Sequence, residues 1–372
     1  MRAGAAPTLP RVETISFARG IPAPECLPVF ELADCAKAAL ERDGSVALSY
    51  GSTLGYAPLR EWLGERHGVD PGRVLVTNGS LQAFHFVLDV LDGDARRILV
   101  ERPTYDRPRR ILASAGIELA EIGVDDDGLD VDELERALDG AQPAFLYTIP
   151  TFQNPTGSTL SAERRRRLVE LAGKHRLPVL EDDPYGLVRF EGEALPSLFE
   201  LEGGVNVMYS SSFSKTIAPG LRVGYAIFPA ALEGELEELA ASTYITPALL
   251  AQATVYEFLR RGLFEPNLKR VRGLLGARRD AMLEALEREL AGRARWNQPE
   301  GGYFLWLELP DGVDAAELLP RATEGGVTFV PGADFGGPAA SARLAFSFVS
   351  PAEIDEGVRR LAGLLAAAPA PV

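Results

Sequence analysis

Between Arg73 and Phe228 the sequence alternates short apolar runs with stretches of helical periodicity, and no other feature narrows the possible folds as much. Arg73–Thr77, Arg97–Glu101, Ile117–Val124, Ala144–Ile149, Pro178–Glu181, Val205–Tyr209 and Val223–Phe228 read as strands. A helix starts after the turn Asn78–Gln82, with Phe84, Val87, Leu88 and Leu91 on one face. Others cover Asp106–Ala115, Asp130–Leu138 and Ala162–His175. Asp130 and Glu133 have the spacing of a capping box, and Gly140 stops that helix. Strands separated by helices predict an α/β domain with a largely parallel sheet. In such sheets ligands bind off the carboxyl ends of the strands.

The flanks differ. Ile15–Pro24 is extended and proline-rich, followed by a helix over Val29–Arg42. A glycine-punctuated loop, Leu48–Arg60, runs into a helix through Trp62 to His67. After Pro229 helices are expected at Leu232–Ala241 and Ala248–Arg261, then a long one ending near Leu290. A smaller α/β unit closes the chain: strand Gly302–Glu308, helix Ala315–Thr323, strands Val327–Val330 and Ala342–Phe348, helix Ile354–Ala366 and an Ala/Pro tail. This suggests an N-terminal arm (1–30), a large domain (31–265) and a small C-terminal domain (266–372). The arginine run Arg164–Arg167 is expected to form a solvated helix face.

Composition removes several classes. A formal charge of −15 on 372 residues works against nucleic acid or an anionic membrane as partner, so any phosphate must be bound by a few aimed donors. The start, Met1–Arg11, lacks the apolar core of a signal peptide, and no run approaches a transmembrane span. Cys26 and Cys35 form no framework and suit a reduced, cytoplasmic protein. His67, His85 and His175 are scattered, and there is no HExxH, Walker-type loop or GxGxxG. No metal is expected.

The stretch Ser210–Tyr225 places a polar turn between two strands, with Lys215, several hydroxyls, Pro219-Gly220 and Arg222. Hydroxyls and a guanidinium suit a phosphate. A lysine beside a bound phosphate ester suits a Schiff base with an aldehyde cofactor. The bland alternative is a solvated loop. The Asn78–Gln82 turn, at a helix N-terminus, reads equally as an anion site or an ordinary cap.

Three further motifs fall just after predicted strands: Glu101-Arg-Pro-Thr-Tyr-Asp106, Thr151-Phe-Gln-Asn-Pro-Thr-Gly157 and Glu181-Asp-Asp-Pro-Tyr-Gly186. With Ser-x-Ser-Lys and Gly-x-Arg they follow in one order, and from about Ile15 to Leu365 the chain resembles the class I/II aminotransferases of fold type I. The nearest look is to the branch of 2-aminoadipate aminotransferases and the aminotransferase-like domains of MocR-type regulators. The resemblance implies a large domain with a mostly parallel central sheet flanked by helices, a smaller C-terminal α/β domain, and pyridoxal 5′-phosphate as cofactor.

It also implies roles. Lys215 would hold the cofactor as a Schiff base and shuttle the substrate α-proton. Asp182 would pair with the pyridine nitrogen; Asp183 is its competitor, and the three-residue step to Tyr185 favours Asp182. Tyr185 and Asn154 would bond the cofactor 3′-oxygen, with Asn154-Pro155 a candidate cis peptide. Tyr105 would stack on the ring. The backbone of Ser80 and Leu81, with Ser212 and Arg222, would bind the phosphate, joined by Tyr50 from a neighbouring subunit, which makes a homodimer. Arg343 would clamp the substrate carboxylate, Asn154 would also meet the substrate, and Gly20 would approach it. Arg19 departs from a Gly-Gly common in relatives; it could reach a distal carboxylate or face solvent.

The implied reaction moves the amino group of an L-amino acid to a 2-oxo acid, with 2-oxoglutarate the expected acceptor. The same cofactor also serves lyases, decarboxylases, racemases and oxidases. A regulator's winged helix would need more than the roughly twenty residues that precede the first motif.

Overall fold

The computed structural model describes residues 14–91, 97–140 and 142–366. The readings of Met1–Arg11 and of most of the Ala/Pro tail fall outside them. In chain order the strands are β1 (Ile15–Ser16), β2 (Val74–Thr77), β3 (Arg97–Arg102), β4 (Glu118–Asp125), β5 (Gly128–Leu129), β6 (Leu146–Thr148), β7 (Val179–Asp182), β8 (Val207–Ser212) and β9 (Gly224–Ile227). β10 (Arg295–Trp296), β11 (Phe304–Glu308), β12 (Val327–Thr328), β13 (Val330–Pro331) and β14 (Ser341–Ala345) follow. The helices are α1 (Val29–Ala47), α2 (Ala57–His67), α3 (Ser80–Leu91), α4 (Asp106–Ala115), α5 (Val131–Leu138), α6 (Ala162–His175) and α7 (Leu198–Glu202). α8 (Glu233–Tyr244), α9 (Leu249–Arg260), α10 (Phe264–Leu290), α11 (Ala315–Glu324) and α12 (Pro351–Ala366) complete them.

The central sheet has the order β2-β9-β8-β7-β6-β3-β4-β5. Pairing is parallel from β8 through β7, β6 and β3 to β4; β9 lies antiparallel between β2 and β8. β2, β6 and β7 are buried along their whole length, as strands covered by helices on both faces must be. Because β2 and β8 both oppose β9, the ends of β2, β3, β6, β7 and β8 and the start of β9 lie along one edge. All the sequence motifs leave the sheet there.

A second sheet, β10-β11-β14-β13, is antiparallel. Val327–Val330 is not one strand: β12 pairs with β1, and β13 pairs with β14, the chain switching partners at Phe329. The segment around Phe17 is therefore sewn to the C-terminal unit, its amide donating to Thr328 O and its carbonyl accepting from Ala345 N.

Two local expectations are corrected. Asp130 caps α5 through the amides of Asp132 and Glu133, but Glu133 does not close the box; its carboxylate accepts from Gly123 N at 2.7 Å. The arginine run is not uniformly solvated. Arg165 lies three residues before Leu168 and seven before Ala172, on the buried face of α6. Its guanidinium donates to the carbonyls of Leu160, Pro150 and Pro196 and to Thr151 Oγ1, which is what allows a buried cation. Arg164 and Arg167 point outward to Asp125 and Glu135.

Candidate active site

Off the shared edge lies a cavity of about 370 Å³ lined by Gly20, Gly79–Leu81, Tyr105, Asn154, Asp182, Tyr185, Ser212, Ser214, Lys215, Arg222, Phe304 and Arg343, with Asp106 and Arg107 at its rim. A larger groove, about 820 Å³, lies between β4 and Arg295–Glu308. Its Asp125 and Glu308 are already paired with Arg164 and Arg295, so the convergent free groups belong to the smaller cavity.

Lys215 follows β8. Its ammonium donates to Gly20 O at 2.7 Å and lies 5.0 Å from the centre of the Tyr303 ring. Burial and the nearby Arg343 and Arg222 push its pKa down to about 8. Gly20 comes from the N-terminal segment and lies close against the Phe304 ring; a Cβ there would lie 2.6 Å from two ring carbons.

Asp182 ends β7. Tyr147 on β6 donates to its Oδ2 at 2.8 Å, while Oδ1 is buried without a hydrogen-bond partner. Burial lifts the carboxyl to about 7, against the lowering effect of the Tyr147 and Ser80 hydroxyls. Asp183 points elsewhere: its oxygens accept from Tyr209 Oη at 2.9 Å and Gly186 N at 2.7 Å. Of the two neighbours, only Asp182 faces the cavity.

Four elements build an anion cradle. Gly79, at φ +82°, leads into the N-terminus of α3, whose first residues are Ser80 and Leu81. Any side chain at Gly79 would collide with the Arg222 guanidinium. Arg222 donates to Asn78 O at 3.0 Å and approaches Ser214 Oγ at 3.5 Å. Ser214 in turn accepts from Ser212 Oγ at 2.8 Å. Free helix amides, two hydroxyls and a guanidinium around one space suit a phosphate-sized anion.

Arg343, on β14, crosses the cavity. It donates to Asn154 Oδ1 at 2.8 Å and Ala18 O at 3.1 Å, and its Nε is buried without a partner. Phe304 and Phe335 hold its guanidinium 4.2 and 4.8 Å from their ring centres. The Arg343 bond occupies the Asn154 oxygen and leaves its amide N–H₂ to donate. Asn154-Pro155 is cis. Burial raises the Tyr185 and Tyr105 hydroxyls above their usual range, so both stay protonated donors.

Two named residues lie apart. Tyr50 is 83% exposed on the loop before α2. Arg19 is exposed, its guanidinium 5.0 Å over Phe348, and does not line the cavity. Sequence reasoning missed Tyr147, Phe304, Ser214 and the rim pair Asp106–Arg107. Ser214 stood inside the Ser-x-Ser-Lys motif, whereas Tyr147 reads only as a strand residue. The whole set offers one activated amine, one carboxylate short of a donor, one anion cradle and one two-pronged cation.

The family model described as aminotransferase class I and II matches residues 26–361. The chain is 41% identical to a 2-aminoadipate transaminase of Thermus thermophilus, over 95% of this chain and 91% of the relative. It is 35% identical to aromatic-amino-acid aminotransferase 1 of Thermococcus litoralis, over 94% and 87%. A solved α-aminoadipate aminotransferase from Thermus thermophilus, complexed with N-(5′-phosphopyridoxyl)-L-leucine, superposes with a TM-score of 0.90 at 40% identity, covering 95% of this chain and 92% of that one.

Proposed function

This chain belongs to the aminotransferase class I and II family and is a pyridoxal-phosphate-dependent aminotransferase, and from that premise we propose which residues carry the reaction. Lys215 holds the cofactor, and the chain passes the amino group of an L-amino acid to a 2-oxo acid, 2-oxoglutarate being the expected acceptor. The carrying observation is the pairing, in one cavity, of the depressed Lys215 amine with an Asp182 oxygen that lacks a donor.

The residues fit pyridoxal phosphate. A protonated ring nitrogen would supply the missing donor to Asp182 Oδ1, and a counter-cation there would bring the carboxyl back to its charged form. The cradle of Ser80, Leu81, Ser212, Ser214 and Arg222 suits the phosphate. Tyr185 and the Asn154 amide would donate to the ring oxygen, and Tyr105 would lie against the ring. When bound, the cofactor supplies a carbonyl for the amino group and a sink for the electrons of the α-carbon.

The side chains supply the rest. A lysine pushed to about 8 is partly unprotonated near neutral pH, so it can attach the cofactor and later take and return the α-proton of the substrate. Arg343 grips the substrate α-carboxylate in two parallel bonds, its plane fixed by Phe304 and Phe335. Gly20 lets the N-terminal segment close over the substrate without displacing Phe304.

The functional unit is a homodimer on this reading. Tyr50 is one of several exposed large apolar side chains, with Val29, Phe30, Leu48, Val205 and Ile245 each at least 60% exposed. A second copy would cover them and bring Tyr50 to its phosphate cradle. We also infer that residues 31–265 form the cofactor domain and 266–372 a small domain that moves over it, with residues 1–30 as an arm. Both free cysteines are buried, and no helix among the described residues is long and apolar enough to cross a membrane; we place the protein in the cytoplasm.

Titrating the protein with pyridoxal phosphate, then an L-amino acid, then a 2-oxo acid tests this. The cofactor's visible absorption should appear with wild type and not with Lys215→Ala, vanish with the amino acid and return with the 2-oxo acid. Release of ammonia or carbon dioxide instead would refute amino transfer. Sedimentation decides the dimer.

A further inference from the structure

Four cations line the cavity: Lys215, Arg222, Arg343 and Arg107. On the reading above, the first three hold the cofactor, its phosphate and the substrate α-carboxylate. Arg107 has no assigned task. It is the second residue of α4, where the positive end of the helix dipole disfavours a cation. Asp106 at the first position suits that dipole; Arg107 opposes it, and stability does not explain its choice.

Its surroundings leave it available. Its nearest anion is Asp106, with Nε 3.8 Å from Oδ2, and that carboxylate lies nearer Arg110, at 3.3 Å. Among the described residues the Arg107 guanidinium donates no hydrogen bond. Depth sorts the cavity: Asp182 and Tyr185 are buried at its floor, while the Arg107 side chain is 56% exposed and Ile21 43% exposed at its mouth. With the floor taken by Asp182 and Tyr185, the mouth is where a substrate held between Arg343 and Lys215 has room for its side chain. Arg19 competes poorly, because its guanidinium is spread over Phe348 outside the cavity lining.

We propose that Arg107 receives the distal carboxylate of a dicarboxylic amino acid or 2-oxo acid, and so sets the substrate class of this site. The inference rests on the aminotransferase reading. Asp106, 3.3 Å from Arg110 and 3.8 Å from Arg107, shares the lining, so a distal carboxylate must meet Arg107 away from it.

The test compares wild type with Arg107→Gln, Arg107→Lys and Arg19→Gln, all loaded with pyridoxal phosphate. The ratio of kcat/KM for glutamate to that for leucine is measured, together with the calorimetric affinity for glutarate. Loss of one charge-assisted contact should lower both the ratio and the glutarate affinity of Arg107→Gln by about tenfold to a hundredfold. Arg107→Lys should restore part of each. The proposal is overturned if Arg107→Gln slows glutamate and leucine equally, if wild type does not prefer glutamate, or if Arg19→Gln alone lowers the ratio. A wild type that transfers no amino group refutes the aminotransferase reading instead, and glutarate binding then decides Arg107 by itself.

Discussion

The Tyr147 hydroxyl donates to Asp182 Oδ2 at 2.8 Å across neighbouring parallel strands, and this bond fixes which oxygen of the carboxylate remains for a ligand. Tyr147 is fully enclosed, so the bond is shielded from water. It stabilises the charged carboxylate against burial, which even with this bond in place leaves the carboxyl raised to about 7.

Tyr147→Phe should therefore weaken cofactor binding without touching the cofactor. One buried bond to a charged group is worth about 1.5–3 kcal/mol, so the dissociation constant of pyridoxal phosphate should rise about tenfold or more. Fluorescence titration at several pH values would check it. The loss should be larger at pH 6 than at pH 8, because an Asp182 freed of Tyr147 holds its proton to higher pH.

Lys215 gives a stability prediction with a definite sign. Its folded value, about 8, is below the ordinary 10.5, so between these values the unfolded chain binds a proton that the folded chain does not. Stability then rises with pH across that window, and the cost of burying the ammonium is full below pH 8. Cofactor-free Lys215→Met should be more stable than cofactor-free wild type by roughly 2 kcal/mol at pH 7, allowing for the partial solvent access of the side chain. The gap should close toward pH 10.5, as read by urea denaturation.

Arg343→Gln should separate substrate from cofactor. Losing a two-pronged grip on the α-carboxylate should raise KM for an amino acid roughly a hundredfold. Cofactor uptake, measured by absorption, should change little, since the cradle lies across the cavity at Ser80, Ser212 and Arg222.

Arg165→Leu should damage the fold rather than the chemistry. It strands the carbonyls of Leu160, Pro150 and Pro196 and leaves Glu181, 3.9 Å away, with less compensation. A loss of roughly 3–5 kcal/mol is expected in denaturant unfolding.

The parallel sheet and the ring of motifs around Lys215 were legible in the sequence because they rest on local signals. Apolar runs mark buried strands, and Ser-x-Ser-Lys or Asn-Pro-Thr-Gly keep their spacing along the chain. Relations across strands were not. Nothing adjacent to Tyr147 reveals that its neighbour in the sheet ends in Asp182. Arg165 looked solvated because three other arginines surround it, although its spacing from Leu168 and Ala172 carried the opposite message. Val327–Val330 read as one strand because periodicity cannot say that its two halves serve different partners. Arg107 passed unnoticed for a related reason: an exposed arginine acquires meaning only from the cavity beside it.

The carbonyl of Ala18 meets Arg343 from the opposite end of the chain, and that of Gly20 meets Lys215 across 195 residues. A ribosome releases these partners at very different moments. The central strands can pair while synthesis continues, but the Ala18 carbonyl has no Arg343 to meet until residues beyond 343 emerge. On the role proposed for Arg343, a nascent chain would gain its grip on a substrate carboxylate only when nearly whole. The Ala18–Arg343 bond closes a loop of 325 residues, so its loop-closure cost exceeds that of any contact made within one strand–helix unit of the sheet.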